Sequence, residues 1–132
     1  MTAPGAPSVL VVDDEAGMRE TLTEILNGAG YRASSADSGL SALALLQAEH
    51  FDVVLMDIRM PDMDGVTALV EMGPPPPPVI MMTAYALEDQ LRQAVASHAY
   101  AVVHKPFGIP YLLRLVDKAV NQRWPDPQGT AA

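Results

Sequence analysis

The sequence contains no cysteine. Disulfides, thiolate metal ligands and cysteine nucleophiles are therefore excluded, and the absence fits a reducing compartment. Basic side chains are scarce, 8 against 16 acids, for a net charge of −8. A chain so charged is poorly matched to phosphate backbones or anionic lipid. No apolar run approaches the roughly 20 residues of a membrane span. Residues 1–8, Met-Thr-Ala-Pro-Gly-Ala-Pro-Ser, show neither the basic region nor the apolar stretch of a secretory leader. The expectation is a cytoplasmic protein with no membrane partner.

What the chain does have is 132 residues, 49% of them apolar, the size and composition of one globular domain with a sizeable core. Residues 1–7 and 123–132 are rich in Pro, Gly, Ala and Thr and are expected to be loose tails, the second a possible start of a linker, around a domain at 8–122. Short continuous apolar runs stand at Val9–Val12, Val53–Met56, Val79–Met82 and Ala101–Val103, with a weaker one around Tyr31. Continuous apolarity over strand length is what parallel strands buried on both faces require.

Helical spacing fills the gaps. Met18, Leu22, Ile25 and Leu26 predict one inward face. Leu40, Leu43 and Leu46 predict a second, Leu87, Leu91 and Val95 another, and Leu112, Leu113, Val116 and Val120 the last. Asn27-Gly28 and Gly30 are the expected stop of the first helix, and Asp37-Ser38 the expected cap of the second. From Gly65 only about two turns fit before Pro74. The result is an α/β chain of five βα units, a doubly wound parallel sheet with right-handed crossovers.

In such sheets, sites form beyond the carboxyl ends of the strands. The first run is followed by Asp13-Asp14-Glu15, the third by Asp57, the fourth by Thr83 and the fifth by Lys105-Pro106. Clustered carboxylates repel one another, and a divalent cation relieves that repulsion. Hard oxygen ligands with room for water and phosphate suit Mg²⁺. Asp57 could then attack phosphorus, with the metal and Lys105 neutralising the phosphoryl oxygens and Thr83 donating a hydrogen bond.

Val-Val-Asp-Asp-Glu, Val-Val-Leu-Met-Asp-Ile-Arg-Met-Pro-Asp-Met-Asp-Gly, Val-Ile-Met-Met-Thr-Ala-Tyr and His-Lys-Pro-Phe, in this order, resemble the receiver domain of two-component response regulators. The resemblance spans about residues 8–122. It implies a flavodoxin-like (βα)5 sandwich with strand order 2-1-3-4-5. It implies Asp57 as phosphoacceptor, Asp13 and Asp14 as the acidic pocket, and the Arg59 carbonyl as a further Mg²⁺ ligand. It also implies Thr83 as switch hydroxyl, Lys105 as phosphate partner and a cis Lys105–Pro106 peptide. The implied phosphodonor is a sensor histidine kinase or histidine phosphotransfer protein. The implied output is a downstream protein target or a fused effector domain, reached through the face of the helix at Leu87–Val95, the fifth strand and the last helix. No helix pair for DNA follows residue 122, so direct DNA binding by this chain is not expected.

Other readings attach to the same residues. Asp13-Asp14 and Thr83 could cap helices, and Lys105 could be an ordinary surface lysine. Met60 to Glu71 nearly fits a calcium loop through Asp62, Asp64, Gly65 and Glu71, but Met60 stands at the first ligand position and a strand precedes it. A phosphohydrolase with an aspartyl-phosphate intermediate typically carries a second Asp two residues after the nucleophile, where this chain has Arg59. A phosphorylation-independent pseudo-receiver would be expected to lack a key side chain, and none is missing. His50, His98 and His104 are too scattered for a metal site. Met56, Met60, Met63, Met81 and Met82 suit packing, and Trp124 suits an anchor for the last helix.

The family pattern is departed from in the third helix, which is shorter than in most receivers and lacks their usual basic residues, and at two positions near the fifth strand. Val102 stands where an aromatic switch residue is usual, three before the lysine, and His98 replaces a frequent Gly. Tyr100 or Tyr85 is expected to take over the readout, or backbone shifts around Thr83 to carry it. Arg59 and Tyr85 occupy positions that tune water access to the acyl phosphate. The five prolines at 74–78 resemble a polyproline II recognition tract, but a groove ligand must be free on both sides. Here the tract enters a buried strand at once, and is expected to be a stiff connector delivering Thr83 to the rim.

Overall fold

The structure, a computed structural model, describes residues 5–60, 65–72, 76–84 and 98–122. Five strands form one parallel sheet: β1 (Ser8–Val12), β2 (Arg32–Ala36), β3 (Val53–Asp57), β4 (Val79–Thr83) and β5 (Ala101–His104), in the order β2-β1-β3-β4-β5. The described helices are α1 (Ala16–Gly28), α2 (Gly39–Ala48), α3 (Gly65–Glu71) and α4 (Ile109–Gln122). The predicted helix at Leu87–Val95 lies outside the described residues, as do Trp124 and the first prolines of the tract.

Continuous apolarity in the central strands is explained by a core on each side of the sheet. Leu10, Val12, Val54, Met56, Val79 and Met81 face Ala42 of α2 and Ala68 of α3. Val9, Val11, Val53, Leu55, Ile80 and Met82 face Leu22 and Leu26 of α1 and Leu112, Val116 and Ala119 of α4. Each fully buried Leu or Ile contributes about 1.5–3 kcal/mol relative to an exposed one. Met56, Met60, Met81 and Met82 are core residues, as their sequence context suggests.

Two expectations shift. The second strand begins after Tyr31, and its sequence, Arg-Ala-Ser-Ser-Ala, is hardly apolar. It is an edge strand with one neighbour, so only one end needs burial, and Ala36 supplies it. In α2 the inward residues are Gly39 and Ala42, with Leu45 and Leu46 packed alongside, while Leu40 is 59% exposed. The leucine stripe beginning at Leu40 is therefore corrected: small residues let α2 approach the sheet, and Leu40 points away from the core.

The ends of α1 and α2 follow their local chemistry. The Tyr31 N–H donates to the Leu26 carbonyl and the Gly30 N–H to that of Asn27, closing α1 in a Schellman motif. Gly30 takes φ +97° there, a conformation costly for any residue with a Cβ. Ser38 caps α2, its Oγ accepting from the Ser41 N–H at 3.1 Å.

Candidate functional site

Because all five strands run the same way, their last residues meet on one rim. Asp57 and Thr83 end β3 and β4, and Asp13 and Lys105 each follow directly on a strand. The strand register brings them close: Asp57 pairs with Met82, and Thr83 with His104. The Lys105 N–H donates to the Thr83 carbonyl at 2.7 Å, so the lysine leaves β5 from a fixed position. The peptide that follows it, Lys105–Pro106, is cis.

The Lys105 ammonium lies between two carboxylates, 3.1 Å from Asp57 Oδ2 and 3.2 Å from Asp13 Oδ2. Burial, the largest single influence, works to lower the lysine pKa. The hydrogen bond and charge of Asp57 and those of Asp13 together outweigh it and hold the pKa above the ordinary lysine value. Lys105 is thus a permanent cation at neutral pH.

Asp13 has no solvent exposure, yet each of its polar groups is engaged. Oδ2 accepts from Lys105, and Oδ1 accepts from the Glu15 N–H at 2.9 Å, turning the chain into α1. Its N–H donates to the Ala36 carbonyl at 3.2 Å, and its carbonyl accepts from Arg19 Nη1 at 2.8 Å. The contact from Glu15 to Asp13 is a local turn ahead of the helix: the N-cap of α1 is Glu15, with no side-chain cap bond, so the helix-capping reading of Asp13 is corrected. Asp14 is exposed and Asp57 half-buried, and Asp57 Oδ1 accepts from the Arg59 N–H at 3.1 Å.

Ligand oxygens of Asp13, Asp14 and Asp57 lie within 4.8 Å of one another, among the described residues the one group of acids and histidines able to hold a metal ion. The donor set is all hard oxygen, open to solvent on the Asp14 side, which fits Mg²⁺ better than a soft or closed-shell site would. Asp13, Asp14, Asp57 and Lys105 are thus brought together, with Thr83 ending the neighbouring strand, buried at 1% exposure.

Other candidates fall elsewhere. Tyr100 donates its N–H to the Val79 carbonyl, at the start of β4. Thr83 lies four residues further along that strand, about 13 Å away. Tyr100 is therefore not brought to the rim, although it remains 36% exposed. Val102 is half-buried and packs on the α2–α3 side of the sheet. Tyr85 and the acidic positions Asp62 and Asp64 of the calcium-loop reading lie outside the described residues. Met60, that loop's first position, is a buried core side chain. His98 and His104 are exposed, and His50 pairs with Asp52 at 3.1 Å.

Sequence reasoning missed Arg19 and Asp52. Asp52 is 7% exposed at the opposite end of the sheet, where Oδ2 accepts from the Ser8 N–H at 2.8 Å. The signals were an arginine in the first turn of a helix after an acidic pair, and an acid opening an apolar run.

The sequence model described as "Response regulator receiver domain" matches residues 9–117. The chain is 42% identical over 115 residues to the regulatory protein AtoC of Escherichia coli, covering 86% of this chain but 25% of that protein. It is 37% identical over 112 residues to sporulation initiation phosphotransferase F of Bacillus subtilis, covering 83% of this chain and 90% of that one. The chain thus spans about a quarter of AtoC and nearly all of the Bacillus protein. Among solved structures, a CheY-like receiver domain protein from Methanospirillum hungatei aligns with a TM-score of 0.85 at 27% identity, covering 90% of this chain and 97% of that one. A receiver domain from Clostridium thermocellum aligns at 0.81 and 26%, covering 88% and 95%.

Proposed function

This chain belongs to the response regulator receiver domain family, and from that premise we propose that it takes a phosphoryl group from a phosphohistidine donor onto Asp57 and thereby switches its contacts with other proteins. The observation that carries this reading is the Lys105 ammonium seated between Asp57 and Asp13 on the rim where Asp14 completes an acidic triad.

One Asp57 carboxylate oxygen attacks phosphorus while the bond from phosphorus to the donor imidazole nitrogen breaks. The imidazole leaves with that electron pair, and Asp57 becomes an acyl phosphate. Mg²⁺ held by Asp13, Asp14, Asp57 and the Arg59 carbonyl would supply charge neutralisation at the phosphoryl oxygens. Lys105 supplies a second cation, already within hydrogen-bonding distance of the acceptor. The Thr83 hydroxyl would donate to a phosphoryl oxygen. Most of the catalysis is positioning and charge, which this set provides without a general base.

The chain acts as a signalling domain, modified once per cycle, rather than as a turnover enzyme. Its donor is a sensor histidine kinase or histidine phosphotransfer protein, and its output is a protein target or an attached effector domain. Arg59 and Tyr85 tune water access to the acyl phosphate. The remoteness of Tyr100 from Thr83 favours readout through backbone shifts around Thr83, a population shift between two conformers.

Incubation with Mg²⁺ and acetyl phosphate tests the reading. Intact-mass measurement should show the gain of one phosphoryl group in the wild type and none in Asp57→Ala. A wild type that neither gains it nor binds beryllofluoride is a phosphorylation-independent interaction module. Continuous phosphate release from many substrates would instead identify a hydrolase.

A further inference from the structure

We propose that Arg19 is a positioning residue for the acidic pocket, acting on Asp13 and Asp14 through the peptide bond that joins them. The inference rests on the reading of this rim as a Mg²⁺ and phosphoryl site.

The contact is between Arg19 Nη1 and the Asp13 carbonyl oxygen, at 2.8 Å and partly buried. That carbonyl belongs to the Asp13–Asp14 peptide, whose atoms are held in one plane. A guanidinium that fixes the oxygen therefore fixes the plane, and with it the positions of both acidic Cα atoms. The preceding peptide is fixed independently, because the Asp13 N–H donates to Ala36 of β2 at 3.2 Å. Asp13 is thus tied on one side to the sheet and on the other to α1.

The tie from α1 is needed because β1 ends at Val12, so no strand partner holds the Asp13 carbonyl. Arg19 is well placed to supply one. Its own N–H donates to the Glu15 carbonyl at 3.0 Å in the first turn of α1, and the Thr23 hydroxyl donates to its carbonyl at 3.0 Å. The side chain then runs back along the helix to the strand end. The guanidinium is a charged donor, and a hydrogen bond from a charged donor is among the stronger kinds.

Arg19 also borders an open cavity of about 330 Å³ with Ser35, Asp37, Ser41 and Leu45. Arg19 both borders that cavity and donates to the Asp13 carbonyl, and on removal of its guanidinium water is expected to take the donor's place. Loss of Arg19 is therefore expected to leave the fold stable but the Asp13–Asp14 peptide free to rotate. A metal that needs near-ideal octahedral geometry tolerates such freedom poorly.

Calorimetric titration of the whole chain with Mg²⁺ tests this, alongside urea unfolding without metal. Arg19→Met keeps the length of the side chain and removes the donors. Its Mg²⁺ Kd should rise about tenfold, the low end of what outer-shell partners of metal ligands contribute, with little change in the metal-free urea midpoint. Arg19→Lys, which retains a charged donor, should recover part of the affinity. A Kd for Arg19→Met within about twofold of wild type overturns the inference, since outer-shell losses exceed that. So does a loss of affinity that Arg19→Lys fails to reduce, because side-chain volume would then be responsible. A wild type with no Mg²⁺ isotherm overturns the site reading with it, whereas normal wild-type binding with unaffected variants overturns this inference alone.

Discussion

Lys105 donates to Asp57 at 3.1 Å across 48 residues of sequence, so the proposed phosphoacceptor is already paired with a cation before any metal or phosphoryl group arrives. The same ammonium reaches Asp13 at 3.2 Å. It lowers the repulsion among three acids, and it would compete with a divalent ion held by the same carboxylates.

Lys105→Met should therefore have two opposed effects. Without metal, Asp13 and Asp57 lose their partner, and the urea midpoint should fall by the equivalent of about 1–3 kcal/mol. With metal, the competing charge is gone, and Mg²⁺ should bind about tenfold more tightly, as expected for removal of a unit charge a few ångströms away. Calorimetry and urea unfolding on the same preparation check both. Unchanged or weaker Mg²⁺ binding would show that the ammonium does not compete.

Asp52 provides the matching control at the other end of the sheet. It is nearly buried and accepts from the Ser8 N–H, the Ser8 hydroxyl at 3.4 Å and, through Oδ1, the His50 ring at 3.1 Å. Asp52→Ala leaves the Ser8 N–H short of its acceptor and should cost about 1–3 kcal/mol. The strand length separates it from the rim, so the extent of phosphorylation by acetyl phosphate, measured on the folded variant, should match wild type.

Helix α2 yields a paired prediction. Leu40→Lys changes a side chain that is 59% exposed and should shift stability by no more than about 0.5 kcal/mol. Ala42→Leu forces three further carbons between α2 and the sheet at a position with no exposure, and should cost about 1–3 kcal/mol or more. The reverse order in thermal unfolding would restore the leucine face that spacing alone suggests.

That pair also shows where the sequence can and cannot be read. The strands β1, β3 and β4 are legible because burial on both faces demands unbroken apolar runs, and the rim acids are legible because each directly follows such a run. Strand β2 is only faintly legible, as the weak run around Tyr31, since an edge strand with one neighbour needs little apolar surface. In α2 the leucines at 40, 43 and 46 share a stripe that spacing alone selects, Leu45 lies off it, and Gly39 and Ala42 reveal themselves only through packing. The Arg19–Asp13 and Asp52–Ser8 contacts involve a main-chain carbonyl and a main-chain N–H, groups that every residue carries and no local pattern marks.

Alkaline stability supplies the last test. The Tyr31 hydroxyl donates to Asp117 Oδ1 at 3.4 Å, joining the approach to β2 with α4. Burial first, then the Asp117 charge and hydrogen bond, raise the phenol above its ordinary value of 10.0. The folded state therefore holds the phenol proton more tightly than the unfolded chain does. Its contribution to stability is complete below the unfolded value and is lost as pH rises from there through the folded one. Lys105, raised above its ordinary 10.5 by Asp57 and Asp13 against the opposing effect of burial, adds a loss of the same sign at slightly higher pH. Urea midpoints should consequently hold steady through neutrality and fall above about pH 10. Tyr31→Phe removes the phenol while keeping the ring that packs with Leu22 and Leu26. Its alkaline decline should be shallower than that of wild type, with the Lys105 part remaining, and its midpoint near neutrality should drop by the equivalent of about 0.5–1.5 kcal/mol for the lost hydrogen bond. Parallel declines in the two proteins would show that Tyr31 does not titrate with folding.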